Sequence, residues 1–138
     1  MSEPNRQYAY FSLHGQFDPD EITTAVSTLP SEAWCRGDVH PTRKFERRFS
    51  HWSLRSRLAE SEPIEAHIHD VLSQLQSNAA AFSAVSKEHS GCMQLVGFFY
   101  DGYPGLTFEQ DIVYGLAQFH LAVDFDFYNL WSDAREGT

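Results

Sequence analysis

The chain has 138 residues, of which 42% are apolar, 21% charged and 14% aromatic, the size and balance of a single soluble globular domain. At this length roughly two-thirds of the unfolded surface can be buried, so the fold needs neither disulfides nor a structural metal, and nothing in the composition is collagen-like, coiled-coil or low-complexity. The net charge is −9, yet seven of the ten bases (Arg36, Arg43, Lys44, Arg47, Arg48, Arg55 and Arg57) fall between residues 36 and 57, leaving that segment at +5 and the remainder at −14.

The N-terminus lacks a basic region followed by an apolar one, so no secretory signal is expected. No stretch approaches the ~20 apolar residues of a membrane span. Cys35 and Cys92 are far apart in sequence and read as reduced thiols, which together with the missing signal points to a cytoplasmic protein. The expected organisation is one domain over residues 1–138, with loose termini at 1–6 and 132–138.

Tyr8 to His14 alternates Tyr8, Tyr10, Ser12 and His14 against Ala9, Phe11 and Leu13, the period of a half-buried strand ending at Gly15. A helix should follow: Asp18 can cap it by accepting from the N3 amide, Pro19 suits N1, Glu21 completes a capping box and Phe17 can staple onto Ile22. Ile22, Val26 and Leu29 form its stripe, and Pro30 stops it. Ala33 to Arg36 can make a short strand. In the basic segment, the Phe45/Arg47/Phe49 and Trp52/Leu54 spacings suggest two strands with a turn near Ser50.

Ser61-Glu62-Pro63 opens a second helix with Ile64, Ile68, Val71, Leu72 and Leu75 on one face. Ser77-Asn78 interrupts it before a shorter helix over Ala79 to Lys87. Cys92 to Tyr100 is apolar on both faces and reads as a central strand. Thr107-Phe108-Glu109-Gln110 is a second capping box, leading to a helix with Ile112, Leu116 and Phe119 inward. Leu121 to Tyr128 alternates again and is the clearest strand. Residues 8–29 and 93–119 thus share a strand-loop-helix plan. The order β-α-β-β-α-α-β-α-β implies an α+β fold with a single mixed or mostly antiparallel sheet and helices mainly on one face.

The succession Phe11-x-Leu13-x-Gly15, Phe17-Asp18-Pro19-x-Glu21-Ile22-Thr23, Leu29-Pro30, Gly37-Asp38, Trp52-Ser53-Leu54, His67-Ile68 and Val123-Asp124-Phe125-Asp126-Phe127-Tyr128 resembles the bacterial family catalogued as domain of unknown function 4279. The resemblance spans nearly the whole chain, except that the arginines before Trp52 are denser than it leads one to expect. It brings no catalytic residues with it. By analogy with other small stand-alone bacterial proteins, it implies an immunity-type or accessory protein that binds other proteins.

Two readings of the basic segment stand side by side. In one, Arg43, Lys44, Arg47, Arg48, Arg55 and Arg57 form a docking surface for phosphate or for an acidic protein, with Trp52 and Phe49 as aromatic anchors. In the other, these bases lie beside the strand carrying Asp124 and Asp126 and are neutralised by cross-strand pairs worth roughly 0.2–1 kcal/mol each. Nucleic acid fits the local charge, but the net −9 argues against it. Asp124 and Asp126 share one strand face and read as a solvated outer edge that deters strand pairing.

His67 and His69, two apart on a helix, cannot close on one metal ion and read as surface or boundary histidines. Cys35, His40, His89 and Cys92 could form a Cys2His2 site only with an unusual spacing, so no metal and no cofactor is expected. There is no GxSxG elbow, cysteine-nucleophile signature, P-loop or GxGxxG. Eleven of the twenty aromatic residues lie between Phe98 and Trp131, with Tyr103, Tyr128 and Trp131 expected at the surface. The favoured function is a non-enzymatic protein-binding module. The alternative is a small enzyme or ligand binder whose pocket lies near Tyr103, Trp131 and the carboxyl ends of the strands.

Overall fold

The structure is a computed structural model that describes residues 3–131, so the expected loose end at 132–138 lies outside the described residues. The elements are β1 (Arg6–Gly15), α1 (Pro19–Val26), β2 (Glu32–Trp34), β3 (Ser50–Arg55), α2 (Ile64–Gln76), α3 (Ala79–Glu88), β4 (Cys92–Phe99), α4 (Gln110–Gln118) and β5 (Ala122–Asn129). They follow the expected order and build one mixed sheet arranged β2-β3-β1-β4-β5. β1 pairs antiparallel with β3 and β4, and β2 pairs antiparallel with β3. β4 and β5 are parallel, which requires the crossover that α4 provides. The two strand-loop-helix units therefore lead to different ends of the sheet. α4 returns to the neighbouring position, whereas α1 carries the chain past β3 to the far edge.

The helices cover one face. Ala9, Phe11 and Leu13 of β1, Trp52 and Leu54 of β3, and Met93, Leu95 and Phe99 of β4 point into a core closed by Ile22, Val26, Ile68, Val71, Leu75, Phe82 and Ile112. Phe11 sits at its centre, meeting Trp52 and Phe82 edge-on at centroid separations of 6.0 and 5.7 Å. The interior position of β4 agrees with its apolar character on both faces.

Local departures from the sequence reading have identifiable causes. Asp18 does cap α1, but its carboxylate accepts from the Asp20 amide at 2.9 Å, the N2 position rather than N3. The helix stops at Val26 because Ser27 turns left-handed (φ 53°) and Asn78 Nδ2 donates to the Val26 carbonyl at 3.1 Å. Leu29 is thereby left outside the helix and 79% exposed. The capping box at Thr107 does not form. Its amide donates instead to Glu65 Oε2 of α2 at 3.2 Å, and α4 begins at Gln110 without a side-chain cap.

The hairpin expected around Ser50 is also different. Ser50 begins β3, and the chain between β2 and β3 folds back on itself earlier, with His40 N donating to Phe45 O, Arg47 N to Asp38 O and Gly37 N to Arg47 O. Gly37 (φ 93°) and Lys44 (φ 61°) take the left-handed conformations that this narrow excursion needs. Asp38 Oδ2 closes its base by accepting from Cys35 N at 2.8 Å. Most of the basic segment is thus displayed on a projecting loop rather than laid along a strand.

Candidate functional site

The sheet order decides the two readings of the basic segment. β1 and β4 lie between β3 and β5, so residues of β3 are about 14 Å from β5 at a strand spacing of about 4.8 Å. Cross-strand pairing of the basic segment with Asp124 and Asp126 is therefore ruled out. Two of the bases find other carboxylates: Arg55 reaches Glu60 at 2.6 Å, and Arg57 clasps Asp70 through Nη2 at 2.8 Å and Nε at 3.2 Å. Partial burial of Asp70 opposes its ionisation, but the hydrogen bonds from Arg57 outweigh this and hold its carboxyl below the ordinary range.

Of the six docking candidates, Arg43, Lys44, Arg47 and Arg48 remain. Among the described residues none of these four has a carboxylate within salt-bridge distance. Arg47 and Arg48 line a cleft of about 550 Å³ together with His14, Trp34, Phe45, Glu46 and Phe49. The Arg47 guanidinium lies 3.7 Å from the centroid of the Trp34 ring and 5.7 Å from that of Phe45. Phe49 is 57% exposed at the mouth.

Trp52 is a correction. It is fully buried on the helix face, donating through Nε1 to Thr23 Oγ1 at 3.0 Å, and offers nothing to a partner. The indole beside the bases is Trp34, which sequence reading passed over. Its strand is only three residues long, and its place beside the bases depends on the excursion that brings Arg47 back over β2. Trp34 Nε1 is engaged by the Phe49 carbonyl at 3.1 Å, so the ring is held in place to support Arg47.

Beneath Trp34 lies His51, stacked at a centroid distance of 4.2 Å, with its Nδ1 3.3 Å from His14 Nε2. Burial, then the neighbouring His14 and Arg47, push the His51 pKa down to about 4. Glu32 Oε1, 3.9 Å from His51 Nε2, is too exposed to reverse this. The folded state thus holds His51 neutral while the unfolded chain binds a proton near pH 6.5, so its contribution to stability is whole above that value and lost as pH falls towards about 4. Urea midpoints measured across this window should fall for the wild type and fall less for His51→Phe. Parallel profiles for the two proteins would show that His51 is not held neutral.

The other candidates are dispersed. His67 is fully buried, against the expectation of a surface or boundary position, and His69 faces Asp111 at 3.5 Å. His40 Nδ1 accepts from the amides of Thr42 and Arg43 and shapes the loop. His89 packs on Phe17, and Cys92 lies across the sheet on β4. No group of three or more metal-ligating side chains forms among the described residues. Asp124 and Asp126 stand exposed on β5, which is an edge strand.

Tyr103 lies at the end of the parallel pair, near Trp131, and is 59% exposed. The cavity beside it, about 180 Å³, is walled by Ile64, Phe99, Tyr103, Pro104, Leu106 and Phe127. These walls are almost wholly apolar, whereas acid-base chemistry requires converging polar groups. No helix among the described residues is long and apolar enough to cross a membrane.

No curated protein and no solved structure matches the chain. A family model described as a domain of unknown function (DUF4279) matches residues 5–130, almost the whole chain, and the protein belongs to that family.

Proposed function

We propose that this protein is a non-enzymatic protein-binding module, of the immunity or accessory type, that receives an acidic partner on the loop between β2 and β3. The observation that carries this reading is the contrast within one basic segment. Arg55 and Arg57 pair with Glu60 and Asp70, while Arg43, Lys44, Arg47 and Arg48 have no carboxylate within salt-bridge distance among the described residues. The loop carries five bases, Arg36 included, against Asp38 and Glu46, so its excess positive charge weakens the free protein slightly and a partner that supplies carboxylates gains from it.

Arg47 is the best anchor. Its stacking on Trp34 orders the guanidinium before binding, while leaving the plane edge, where the N–H donors lie, open to a bidentate carboxylate. Phe45 and Phe49 add exposed aromatic surface around it, in keeping with the arginine and aromatic character of binding hot spots.

The test is affinity capture from the native host, wild type beside the Arg47→Glu/Arg48→Glu variant. Capture of an acidic protein should be lost in the variant, which should melt like the wild type, and should weaken as salt rises. A partner retained equally by the variant, or insensitive to salt, rules out this loop.

A further inference from the structure

The helix-free face of the sheet carries a second, separate pattern of charge. Strand register places Arg55, Tyr10, Gln94 and Asp124 in one row across β3, β1, β4 and β5, and Tyr8, Val96 and Asp126 in the next. Arg6, Phe98 and Tyr128 form the row below. Arg55 lies over Tyr8 at 3.7 Å, Arg6 over Phe98 at 4.7 Å, and Phe98 stacks on Tyr128 at 5.1 Å. The upper two rows are therefore uncharged in the middle, over Tyr8, Tyr10, Gln94 and Val96, and Arg6 lies over Phe98 in the row below. At its β3 side Arg55 pairs with Glu60, whose carboxylate it shares with Arg6 at the end of β1. At its β5 side Asp124 and Asp126 have no cation within salt-bridge distance among the described residues. Glu32 lies beyond, on the short edge strand β2.

We infer that this face pairs with the same face of a second copy of the chain. A two-fold axis lying between the two sheets, parallel to the strands and midway between β1 and β4, exchanges β3 with β5 and β1 with β4 while keeping every row at its own level. Arg55 of each copy then meets Asp124 of the other, twice over, with Tyr10 above Gln94 and Tyr8 above Val96. Sheets packed face to face stand about 10 Å apart, a gap that an extended arginine and an aspartate span together. A uniformly acidic or basic partner would be repelled at one side of this face, whereas a second copy satisfies both sides, as an isologous contact requires.

The four overlapping strands cover about 19 Å by 23 Å, or roughly 900 Å² of projected area over both copies, and more once the corrugated side-chain surface is counted. That lies at the small end of specific interfaces, so the dimer should be weak and reversible.

Symmetry makes the test internal. Arg55→Glu leaves both sides of the face acidic, and Asp124→Arg leaves both sides more basic, so each variant repels its own kind at two places but attracts the other. In sedimentation equilibrium at low salt, the wild type should dimerise, and each variant alone should dissociate about tenfold or more readily. An equimolar mixture should return to dimer mass, with a tagged copy of one variant retaining the untagged other. The mixing step guards against misfolding, since unfolded chains would not complement each other. A wild type that stays monomeric at high concentration, variants that dimerise as well as the wild type, or a mixture that shows no recovery would each overturn the inference. Because Arg47 and Arg48 lie outside these rows, the result is independent of whether the loop binds an acidic partner.

Discussion

Trp52→Ala should lower the unfolding free energy by about 3–5 kcal/mol, and with it the melting temperature by roughly 10–20 °C. The indole is wholly buried, meets Phe11 at 6.0 Å and Phe82 at 6.1 Å, and donates to Thr23 Oγ1 at 3.0 Å. Truncation therefore removes a large apolar surface, leaves a cavity between β3, α1 and α3, and takes away the donor to the Thr23 hydroxyl oxygen. Trp52→Phe keeps much of the volume and should lose less. Trp34→Ala, by contrast, removes a partly exposed ring at the sheet edge and should act mainly on the Arg47 surface. Urea denaturation of the three variants tests the assignment. A loss below about 1 kcal/mol for Trp52→Ala would be incompatible with an indole at the centre of the core.

His67→Ala should be the second most damaging change, at about 2–4 kcal/mol. The imidazole is fully buried in α2, and its Nδ1 lies 2.6 Å from Ser56 Oγ, which itself accepts from the Ala9 amide at 3.3 Å. One serine hydroxyl thus joins β1, the end of β3 and α2. Burial lowers the His67 pKa, partly offset by the nearby carbonyls of Ala59 and Glu62, while its Nε2 makes no well-formed hydrogen bond. The neutral ring and the Ser56 hydroxyl therefore share one hydrogen bond at Nδ1, and acid should destabilise this site in the same direction as it does His51. Removing the ring leaves a cavity and takes from the Ser56 hydroxyl its short bond to Nδ1. In a double-mutant cycle with Ser56→Ala, the coupling energy should exceed about 1 kcal/mol. Additive losses would mean that the two side chains are merely adjacent.

Much of the fold is legible in the residues. The stripe Ile64, Ile68, Val71, Leu72 and Leu75 is buried as its spacing requires, and the alternation of β1 sends Ala9, Phe11 and Leu13 inward. Asp18 and Pro19 start α1 where capping chemistry places them. The candidate site was read less well. Alternation around Trp52 and Leu54 shows that both share a face, but whether that face meets helices or solvent depends on elements far away in sequence. The Thr107 box satisfies the local rule for a helix start, yet Glu65, forty-two positions earlier, takes its amide. Leu29 fits the α1 stripe, yet Asn78 helps to end the helix before reaching it.

Element order, α+β class, the inward stripes of the helices and the interior character of β4 are local properties, set by backbone sterics and side-chain periods within a few residues. Strand order is not local, and with it goes the fate of the charges. By placing β1 and β4 between β3 and β5, it separates Arg55 from Asp124, gives Arg57 to Asp70, and leaves Arg43, Lys44, Arg47 and Arg48 on a loop with no carboxylate within salt-bridge distance of them among the described residues. The physical reason is that pairing partners in a sheet are selected by the packing of the whole chain, which no local pattern of residues encodes.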